Sequence, residues 1–360
     1  MKEPITPPGQ TDDTLAMRLA AWYAGHGRKL PWRETRDPYR IWISEIILQQ
    51  TRIAQGTDYY LRFIERFPDV RSLAQAPQDT VMKYWQGLGY YSRARHLHAA
   101  AQTIVERFGG NFPRVYSQVR ALPGVGDYTA AAICSIAYDM PRAVVDGNVY
   151  RVLSRYFDID TPIDTAAGKR LFARTADEQL DREHPGRYNE ALMDFGALQC
   201  VPGQPDCPCC PLQDRCRART CDTVGLRPVK SKRTRLKDRY LHYFYTLCPQ
   251  GVAVRCRKEN DIWRGLYEFP MIETAEDIPW ERLSHSADFI RLIGRETEAE
   301  IPETEPKRVR HVLSHQCLHI RFYRLRIPGM LSGYECCDRE RLSLLAFPRP
   351  LAAYLEGAEK

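Results

Sequence analysis

Residues 122–133 read Leu-Pro-Gly-Val-Gly-Asp-Tyr-Thr-Ala-Ala-Ala-Ile, and this stretch decides the first part of the fold. Two glycines, Gly124 and Gly126, allow positive φ and predict a tight turn that passes directly into an alanine-rich helix. The amides of such a turn and of the following helix N-terminus point outward and can bind an anion. A bare Gly-x-Gly would indicate a plain turn between helices. The Leu-Pro before it and the alanines after it favour a helix-hairpin-helix that binds a DNA phosphate.

The sequence on the two sides of residue 219 follows different patterns. Over residues 14–194 apolar positions recur at helical spacing, whereas residues 219–238 are basic, polar and without such a repeat. Aromatic and β-branched runs predict strands at 240–247, 252–256 and 318–327. We therefore expect a multidomain chain of 360 residues, with an all-α helix-hairpin-helix domain at 1–218, a linker at 219–238 and an α+β domain at 239–358.

Charge and composition permit a nucleic-acid partner without proving one. The net charge is +7, and residues 1–234 hold 32 Lys and Arg against 26 Asp and Glu, while the remainder holds 20 against 19. No run of eighteen apolar residues occurs, so no membrane span is expected. Residues 1–10 lack the apolar stretch of a signal peptide, which leads us to expect a cytoplasmic protein.

Five of the twelve cysteines lie between Cys200 and Cys216, which indicates a metal site rather than disulfides. Cys200, Cys207, Cys210 and Cys216 are separated by six, two and five residues. Four thiolates in so short a loop can hold a [4Fe–4S] cluster or a zinc ion, and spacing alone does not separate the two. Spacing alone also allows Cys209 to replace Cys210.

Two acidic residues stand in apolar surroundings that suit catalysis. Asp146 follows two valines, as at the edge of a packed core, although an aspartate there also suits a helix N-cap. Glu45 lies among isoleucines, so burial can raise its pKa and fit it to donate a proton. The alternative is that Ser44 and Glu45 open an apolar helix, where a glutamate merely complements the helix dipole.

The turn at 122–133 followed by Asp146 resembles the helix-hairpin-helix DNA glycosylase superfamily, in which that aspartate stabilises a sugar cation. The six-two-five cysteine spacing resembles the cluster loop of the endonuclease III branch. This resemblance implies a [4Fe–4S] cofactor bound by Cys200, Cys207, Cys210 and Cys216, with Cys209 outside the set. Lyases of that branch carry a lysine where this chain has Tyr128. Since a phenol cannot form an imine, a monofunctional, hydrolytic enzyme is implied.

Four further segments are similar to adenine DNA glycosylases of the MutY family. They read Leu-Pro-Trp-Arg at 30–33, Trp-Ile-Ser-Glu-Ile-Ile-Leu-Gln-Gln-Thr at 42–51, Gly-Leu-Gly-Tyr-Tyr-Ser-Arg-Ala-Arg at 87–95 and Tyr-Asn-Glu-Ala-Leu-Met-Asp-Phe-Gly at 188–196. With the cysteines, the match covers nearly all of residues 30–216. The resemblance implies that Glu45 protonates adenine, while Asp146, with Tyr128 nearby, stabilises the sugar cation.

The same resemblance assigns the other matched residues. Arg33, Glu190 and Asn148 line the adenine pocket, with Asn148 grouped among the catalytic residues. The residues implied to contact DNA are the hairpin glycines Gly124 and Gly126, together with Gln50, Thr51, Leu88 and Tyr90. Of these, Gln50, Leu88 and Tyr90 match positions that wedge into the base stack around the lesion. The alternative for Leu88 and Tyr90 is an ordinary core or surface position beside two glycines.

The C-terminal part resembles the MutT-like (Nudix-like) domain of this family, more loosely than the N-terminal part does. The resemblance rests on Trp-Arg-Gly-Leu-Tyr-Glu-Phe-Pro at 263–270 and His-Val-Leu-Ser-His at 311–315. No glutamate-rich magnesium box is present, so recognition rather than hydrolysis is implied. Ser314 and His315 are expected to hydrogen-bond 8-oxoguanine, and Leu313 stands where the family usually has Phe.

The resemblance as a whole implies a monomeric, nucleoid-associated enzyme of base excision repair that removes adenine opposite 8-oxoguanine or guanine in double-stranded DNA. Two alternatives remain open. One is an endonuclease III-like glycosylase and lyase for oxidised pyrimidines, against which Tyr128 and the C-terminal domain weigh. The other is a non-catalytic DNA-binding module with a structural zinc, against which the presence of both Glu45 and Asp146 weighs.

Overall fold

The computed structural model describes residues 13–231, 236–293 and 306–358. The chain divides into two compact units: the first joins Met1–Val70 to Thr103–Arg233, and the second joins Arg71–Gln102 to Thr234–Lys360. The expected domain limits, 1–218 and 239–358, stay a prediction. Their parts at 1–12 and 294–305 lie outside the described residues, as do residues 1–10 considered for a signal peptide and residues 232–235 of the expected linker.

Helices form the regular structure up to the cysteine loop, as the apolar spacing predicts. In chain order they are α1 (Leu15–His26), α2 (Pro38–Leu48), α3 (Ile53–Arg66), α4 (Val70–Gln75), α5 (Gln78–Trp85), α6 (Ser92–Phe108), α7 (Tyr116–Arg120), α8 (Asp127–Tyr138), α9 (Gly147–Tyr156), α10 (Ala166–Glu178), α11 (Pro185–Leu198) and α12 (Arg217–Thr220). Among the described residues no helix combines the length and the apolar character needed to cross a membrane.

Asp37 and Pro38 start α2, which corrects the expectation that Ser44 and Glu45 open this helix. The Asp37 carboxylate accepts a hydrogen bond from the Tyr39 amide at 3.0 Å, and Pro38 tolerates the first turn because its N–H is not needed there. Glu45 therefore lies in the last turn of α2. Since a carboxylate near a helix C-terminus gains nothing from the helix dipole, the dipole explanation of Glu45 is wrong.

Close packing among α1, α8, α9 and α11 holds the first unit together. Trp22 of α1 meets Phe195 of α11 edge to face, in a buried cluster with Leu153 of α9. Gly186 begins α11 so close to α8 that a Cβ atom on it would lie 2.7 Å from the Ser135 carbonyl oxygen. Only glycine permits this approach, which brings α11 directly against α8.

The C-terminal part of the second unit contains a mixed sheet. Its strands are β1 (Lys237–Cys248), β2 (Gly251–Cys256), β3 (Tyr267–Glu268), β4 (Met271–Thr274), β5 (Lys307–Val312), β6 (Gln316–Arg326) and β7 (Glu335–Cys337). The order is β3-β2-β1-β6-β5, while β4 pairs with β1 and β7 with β2. The β1–β6 pair is parallel and the other pairs are antiparallel. The three predicted strands correspond to β1, β2 and β6, although β1 begins inside the expected linker, which also contains part of α12.

Helices cover both faces of this sheet, so the unit has the expected α+β architecture. They are α13 (Trp280–Ser284), α14 (Ala287–Ile293), α15 (Arg339–Leu344) and α16 (Arg349–Ala358). On one face Phe244 packs edge to face against Phe289 of α14. On the other, Phe322 stacks on Tyr354 of α16 with ring centroids 4.2 Å apart.

Candidate active site

One cleft of about 1320 Å³ in the first unit gathers most of the residues that the sequence singled out. The end of α2, the turn before α8, the start of α9 and one face of α11 contribute to its walls. The predicted residues that line it are Arg33, Glu45, Gln50, Thr51, Gly124, Gly126, Tyr128, Asp146, Asn148 and Glu190. The other predicted residues for contacts with DNA, Leu88, Tyr90, Ser314 and His315, belong to the second unit. Helix packing thus brings together residues that are up to 157 positions apart in the chain, from Arg33 to Glu190.

Glu45 is a carboxylic acid that stays partly protonated at neutral pH. Burial raises its pKa to about 7, and the nearby carboxylates of Asp146 and Glu190 act in the same direction. A hydrogen bond with the Tyr128 hydroxyl and the positive charge of Arg33 oppose this rise. A carboxyl group with such a pKa can donate a proton and later accept one at physiological pH.

Tyr128 can act only as a neutral phenol in this cleft. Burial raises its pKa well above the usual value, and the carboxylates of Glu45 and Asp146 raise it further. Its hydroxyl donates to the Glu45 carboxylate and lies 3.7 Å from Met193 Sδ. Tyr128 therefore orients Glu45 but offers no amine for an imine.

Asp146 caps α9, as one of its two interpretations predicts, and it also lines the cleft, while its catalytic role stays a prediction. One carboxylate oxygen accepts the Val149 amide at 2.7 Å and the other accepts Asn148 Nδ2 at 2.8 Å. Burial raises the pKa of Asp146, and these two hydrogen bonds partly offset that rise. The carboxylate is consequently held in one orientation at the N-terminus of α9.

Arg151 connects the start of α9 to the cysteine loop. Its guanidinium donates to Asn148 Oδ1 at 2.9 Å, to the Gly196 carbonyl at 2.6 Å and to the Cys200 carbonyl at 2.7 Å. A Cβ atom at Gly196 would lie 2.7 Å from Asn148 Cβ, so glycine leaves the space that Asn148 occupies. Asn148 is thus fixed from two sides.

Arg33 and Glu190 form a charged wall of the cleft. Arg33 lies 3.6 Å from the Glu190 carboxylate and donates to both oxygens of the fully buried Asp194, at 2.7 and 2.9 Å. Burial raises the pKa of Glu190, while Arg33 and a hydrogen bond from Tyr23 act against that rise. Burial also acts to raise the pKa of Asp194, but its hydrogen bonds with Arg33 and Arg28 outweigh burial and lower it.

The glycine turn before α8 has the expected connection of helix, turn and helix, with one correction. Gly124 adopts a positive φ of 74°, which requires glycine, but Gly126 is extended at φ −90° and serves as the N-cap residue. Within the described chain no side chain caps α8, which leaves its first amides directed outward. The turn therefore keeps the features of an anion site.

Gln50 lies at the rim of the cleft in a backbone conformation that non-glycine residues seldom adopt. Its φ is +58° and its side chain is exposed, whereas the neighbouring Gln49 donates to Thr129 Oγ1 at 3.2 Å. Thr51 follows at the same rim. Such backbone strain is commonly found at functional sites, and here it turns Gln50 outward from α2.

In the second unit the exposed Tyr90 also has a positive φ, of +46°, and its hydroxyl contacts the Ser314 hydroxyl. Ser314 and His315 are exposed in the turn between β5 and β6. Leu88 is only 9% exposed. This burial favours the interpretation of Leu88 as an ordinary core residue.

Four cysteines surround a small cavity beside α9. Cys200, Cys207, Cys210 and Cys216 line it, whereas the exposed Cys209 is turned toward Asp206. The Arg155 guanidinium lies on one side, 3.4 Å from Cys200 Sγ, and the Arg155 carbonyl accepts from Cys216 Sγ at 3.5 Å.

Several residues that position the site were not predicted from the sequence. Asn189 is buried, and its Oδ1 accepts the Val144 amide at 3.1 Å while its Nδ2 donates to the Arg142 carbonyl at 2.8 Å. It therefore holds the extended segment that leads to Asp146. Asp194 fixes Arg33 in the same way. Both are polar residues on the otherwise apolar inner face of α11, and this signal was visible in the sequence.

The fold and the cleft define a DNA glycosylase of the helix-hairpin-helix class. Residues 43–174 match the HhH-GPD superfamily of base excision DNA repair proteins, and residues 242–357 match the NUDIX domain. A thermostable thymine-DNA glycosylase has a similar structure, with a TM-score of 0.54 and 29% identity over 57% of this chain and 95% of that one.

The curated relatives narrow the class to one family. The adenine DNA glycosylase of Buchnera aphidicola from Baizongia pistaciae is 35% identical, over 71% of this chain and 73% of its own length. That of Buchnera aphidicola from Acyrthosiphon pisum is 29% identical over 94% of this chain and 96% of its own length. The chain belongs to the MutY family of adenine DNA glycosylases, and it is a DNA N-glycosylase.

Proposed function

We propose that this protein removes adenine mispaired with 8-oxoguanine or guanine in double-stranded DNA, as a monofunctional enzyme of base excision repair. The observation that carries the proposal is one cleft in which Glu45, with a pKa near 7, hydrogen-bonds Tyr128 beside the carboxylate of Asp146. Relatives named adenine DNA glycosylase support the choice of base. One chain supplies every residue that the mechanism needs, so we expect it to act as a monomer.

The mechanism follows from the chemistry of the leaving group. Adenine leaves poorly as an anion, so we propose that Glu45 protonates its N7 while the glycosidic bond breaks. The sugar then carries an oxocarbenium charge, which Asp146 stabilises as an ion pair or a short-lived covalent bond. Glu45, now a carboxylate, accepts a proton from the attacking water. Arg33, Glu190 and Asn148 bind and orient the extruded base.

Single-turnover assays on four duplexes test the proposed substrate. The duplexes carry adenine opposite 8-oxoguanine, adenine opposite guanine, an oxidised pyrimidine opposite its normal partner, and undamaged pairs. We expect release of adenine from the first two and little adduct after borohydride treatment. Release of the oxidised pyrimidine with efficient trapping would support the endonuclease III-like alternative. Binding without release of any base would support the non-catalytic module.

The rate of adenine release is expected to fall as the pH rises above about 7. The reason is that Glu45 must be protonated to donate a proton. Because its pKa in the folded protein is about 7, the protonated fraction falls as the pH rises above that value. Single-turnover rates measured between roughly pH 5.5 and 9 with saturating enzyme report this step. A rate that stays constant across this range would contradict the role of Glu45 as general acid.

DNA binding is assigned to three features of the described chain. The outward amides of the Gly124 turn are suited to a phosphate, and the exposed Gln50 and Tyr90 are suited to fill the gap left by an extruded base. Their positive φ values support this assignment, because strained backbone is commonly found at functional sites.

Recognition of 8-oxoguanine is proposed for Ser314 and His315. Both side chains are exposed in the β5–β6 turn. Ser314 contacts Tyr90, the proposed wedge residue, within the same unit, and this contact supports the proposal. An 8-oxoguanine differs from guanine by one carbonyl oxygen and one added N–H. A hydroxyl and an imidazole can donate and accept the few hydrogen bonds that distinguish them.

Replacing Ser314 and His315 together by Ala is expected to lower the preference for 8-oxoguanine over guanine. The loss should amount to about 1–3 kcal/mol, since two or three hydrogen bonds carry the discrimination. The measurement is the ratio of adenine-release rates on the two mispairs. Ser284 and His285 form a matched control, because they are another Ser-His pair of the same unit. An unchanged ratio in the first variant would overturn this assignment.

The residues present fit a [4Fe–4S] cluster, which we propose as the cofactor. No three of the four loop cysteines have sulfur atoms that all lie within 4.8 Å of one another. Among the described residues, only Asp238, Cys317 and His319 form such a close group of potential ligands. A single zinc would need sulfurs about 3.8 Å apart, from Zn–S bonds of about 2.3 Å. Sulfur atoms spaced more widely than that suit a cluster, and the positive charge of Arg155 beside Cys200 suits its thiolates. Bound there, a cluster would join Cys200, just after α11, to Cys216, just before α12.

Replacing Cys210 by Ser is expected to remove iron and visible absorption, whereas replacing Cys209 by Ser should leave both unchanged. Cys210 lines the cavity and is half-buried, while Cys209 is exposed. Iron content and the visible spectrum of the two purified variants decide the ligand. Iron loss in the Cys209 variant alone would show that the wrong cysteine was chosen.

A further inference from the structure

Three potential metal ligands meet at the edge of the sheet in the second unit. Asp238 on β1 is the direct cross-strand partner of Cys317 on β6, and His319 lies two residues further along β6. Side chains two positions apart on a strand share one face, so all three project to the same side. One ligand atom from each of them lies within 4.8 Å of the other two.

Hydrogen bonds with the Asp238 carboxylate bring the other two side chains of this group together. His319 Nε2 is 2.7 Å from Asp238 Oδ1, and the Cys317 thiol also hydrogen-bonds the Asp238 carboxylate. The thiol is 2% exposed, whereas Asp238 and His319 are open to solvent on their outer side. A dication placed between them would replace the thiol proton and the proton shared with His319, and water could complete its coordination.

We propose that Asp238, Cys317 and His319 bind a zinc ion. A thiolate, an imidazole and a carboxylate together suit Zn²⁺, while the thiolate disfavours Mg²⁺ and Ca²⁺. Three protein ligands leave a fourth tetrahedral position for solvent. Arg310 of β5 pairs with His319 and interacts with Asp238, so its positive charge lowers the zinc affinity.

The position of the site suggests what the metal would do. β1 and β6 both begin here, and the Lys237 amide donates to the His315 carbonyl at 3.1 Å. Leu313 and Gln316 close the same turn through a hydrogen bond of 2.8 Å. A metal joining Asp238 to Cys317 would therefore fix the base of the turn that carries Ser314 and His315. This consequence rests on the proposed function, whereas the metal site itself does not.

Metal analysis of the full-length protein tests the site. After growth with added zinc and removal of loosely bound metal, we expect about one zinc per chain in the wild type. Asp238→Asn, His319→Gln and Cys317→Ser should each lose that zinc and keep their iron. Asp238 is exposed, so its variant stays informative if the buried Cys317 variant fails to fold. Cys256→Ser is the control, because Cys256 is a half-buried cysteine of the same unit outside the group.

Thermal unfolding gives a second readout on the same variants. Added Zn²⁺ should raise the Tm of the wild type and of Cys256→Ser, but not that of Asp238→Asn, since a ligand stabilises only a protein that binds it. Added Mg²⁺ should have no effect on any of them. Zinc that is absent from the wild type, or that survives in Asp238→Asn, would overturn the proposal. Its loss in Cys210→Ser would then assign the zinc to the cysteine loop.

Discussion

Glu45→Gln is expected to lower the single-turnover rate of adenine release at least about a hundredfold, the typical scale for the loss of a general acid. The amide has nearly the same shape, so it can keep the hydrogen bond with the Tyr128 hydroxyl, but it cannot transfer a proton. DNA affinity should stay close to that of the wild type, because Glu45 lies inside the cleft and not on the outward-facing turn of Gly124.

Folding should not suffer from this change. Burial raises the pKa of Glu45, so the folded state disfavours its charged form and loses stability as the pH rises toward 7. A neutral amide removes that penalty, and the Tm of the variant should equal or exceed that of the wild type at pH 7. Glu106→Gln, an exposed glutamate of the same unit, is the control. A Glu45→Gln rate near wild type would refute the assignment of the acid.

The sequence predicted the helices before the cysteine loop well because helical periodicity is a local signal. The apolar positions of α2 and α6 and the turn before α8 can be read without knowledge of the fold. The expected start of α2 at Ser44 and Glu45 was wrong, because Asp37 and Pro38 begin the helix further upstream. The Gly124 turn was correct, but the second glycine proved to be extended.

Pairings between distant elements were not predictable in the same way. Nothing local shows that Asp194 would fix Arg33, or that the strand register would place Asp238 opposite Cys317. The grouping of Arg71–Gln102 with the C-terminal part is likewise a property of packing and not of sequence pattern. Contacts of this kind depend on which surfaces meet after folding, and a single sequence carries no direct record of them.

Asp146→Asn is the second substitution for which we expect a large loss of activity. The carboxylate is proposed to stabilise the positive charge that develops on the sugar. Removing such an electrostatic partner typically costs about a hundredfold to a thousandfold in rate. Asparagine is as good an N-cap residue as aspartate, so it can still accept the Val149 amide and start α9. The rate should fall while the fold persists.

Asp146→Ala separates the two roles of this residue. Alanine removes the cap together with the charge, which should cost about 1 kcal/mol of unfolding free energy in addition to the activity. If charge is what catalysis needs, the Asn and Ala variants will show similarly low single-turnover rates, and only the Ala variant will show a lower Tm. If capping is what matters, the Asn variant will release adenine within a few-fold of the wild-type rate, and Asp146 will then be a positioning residue for α9 and Asn148 rather than a catalytic one.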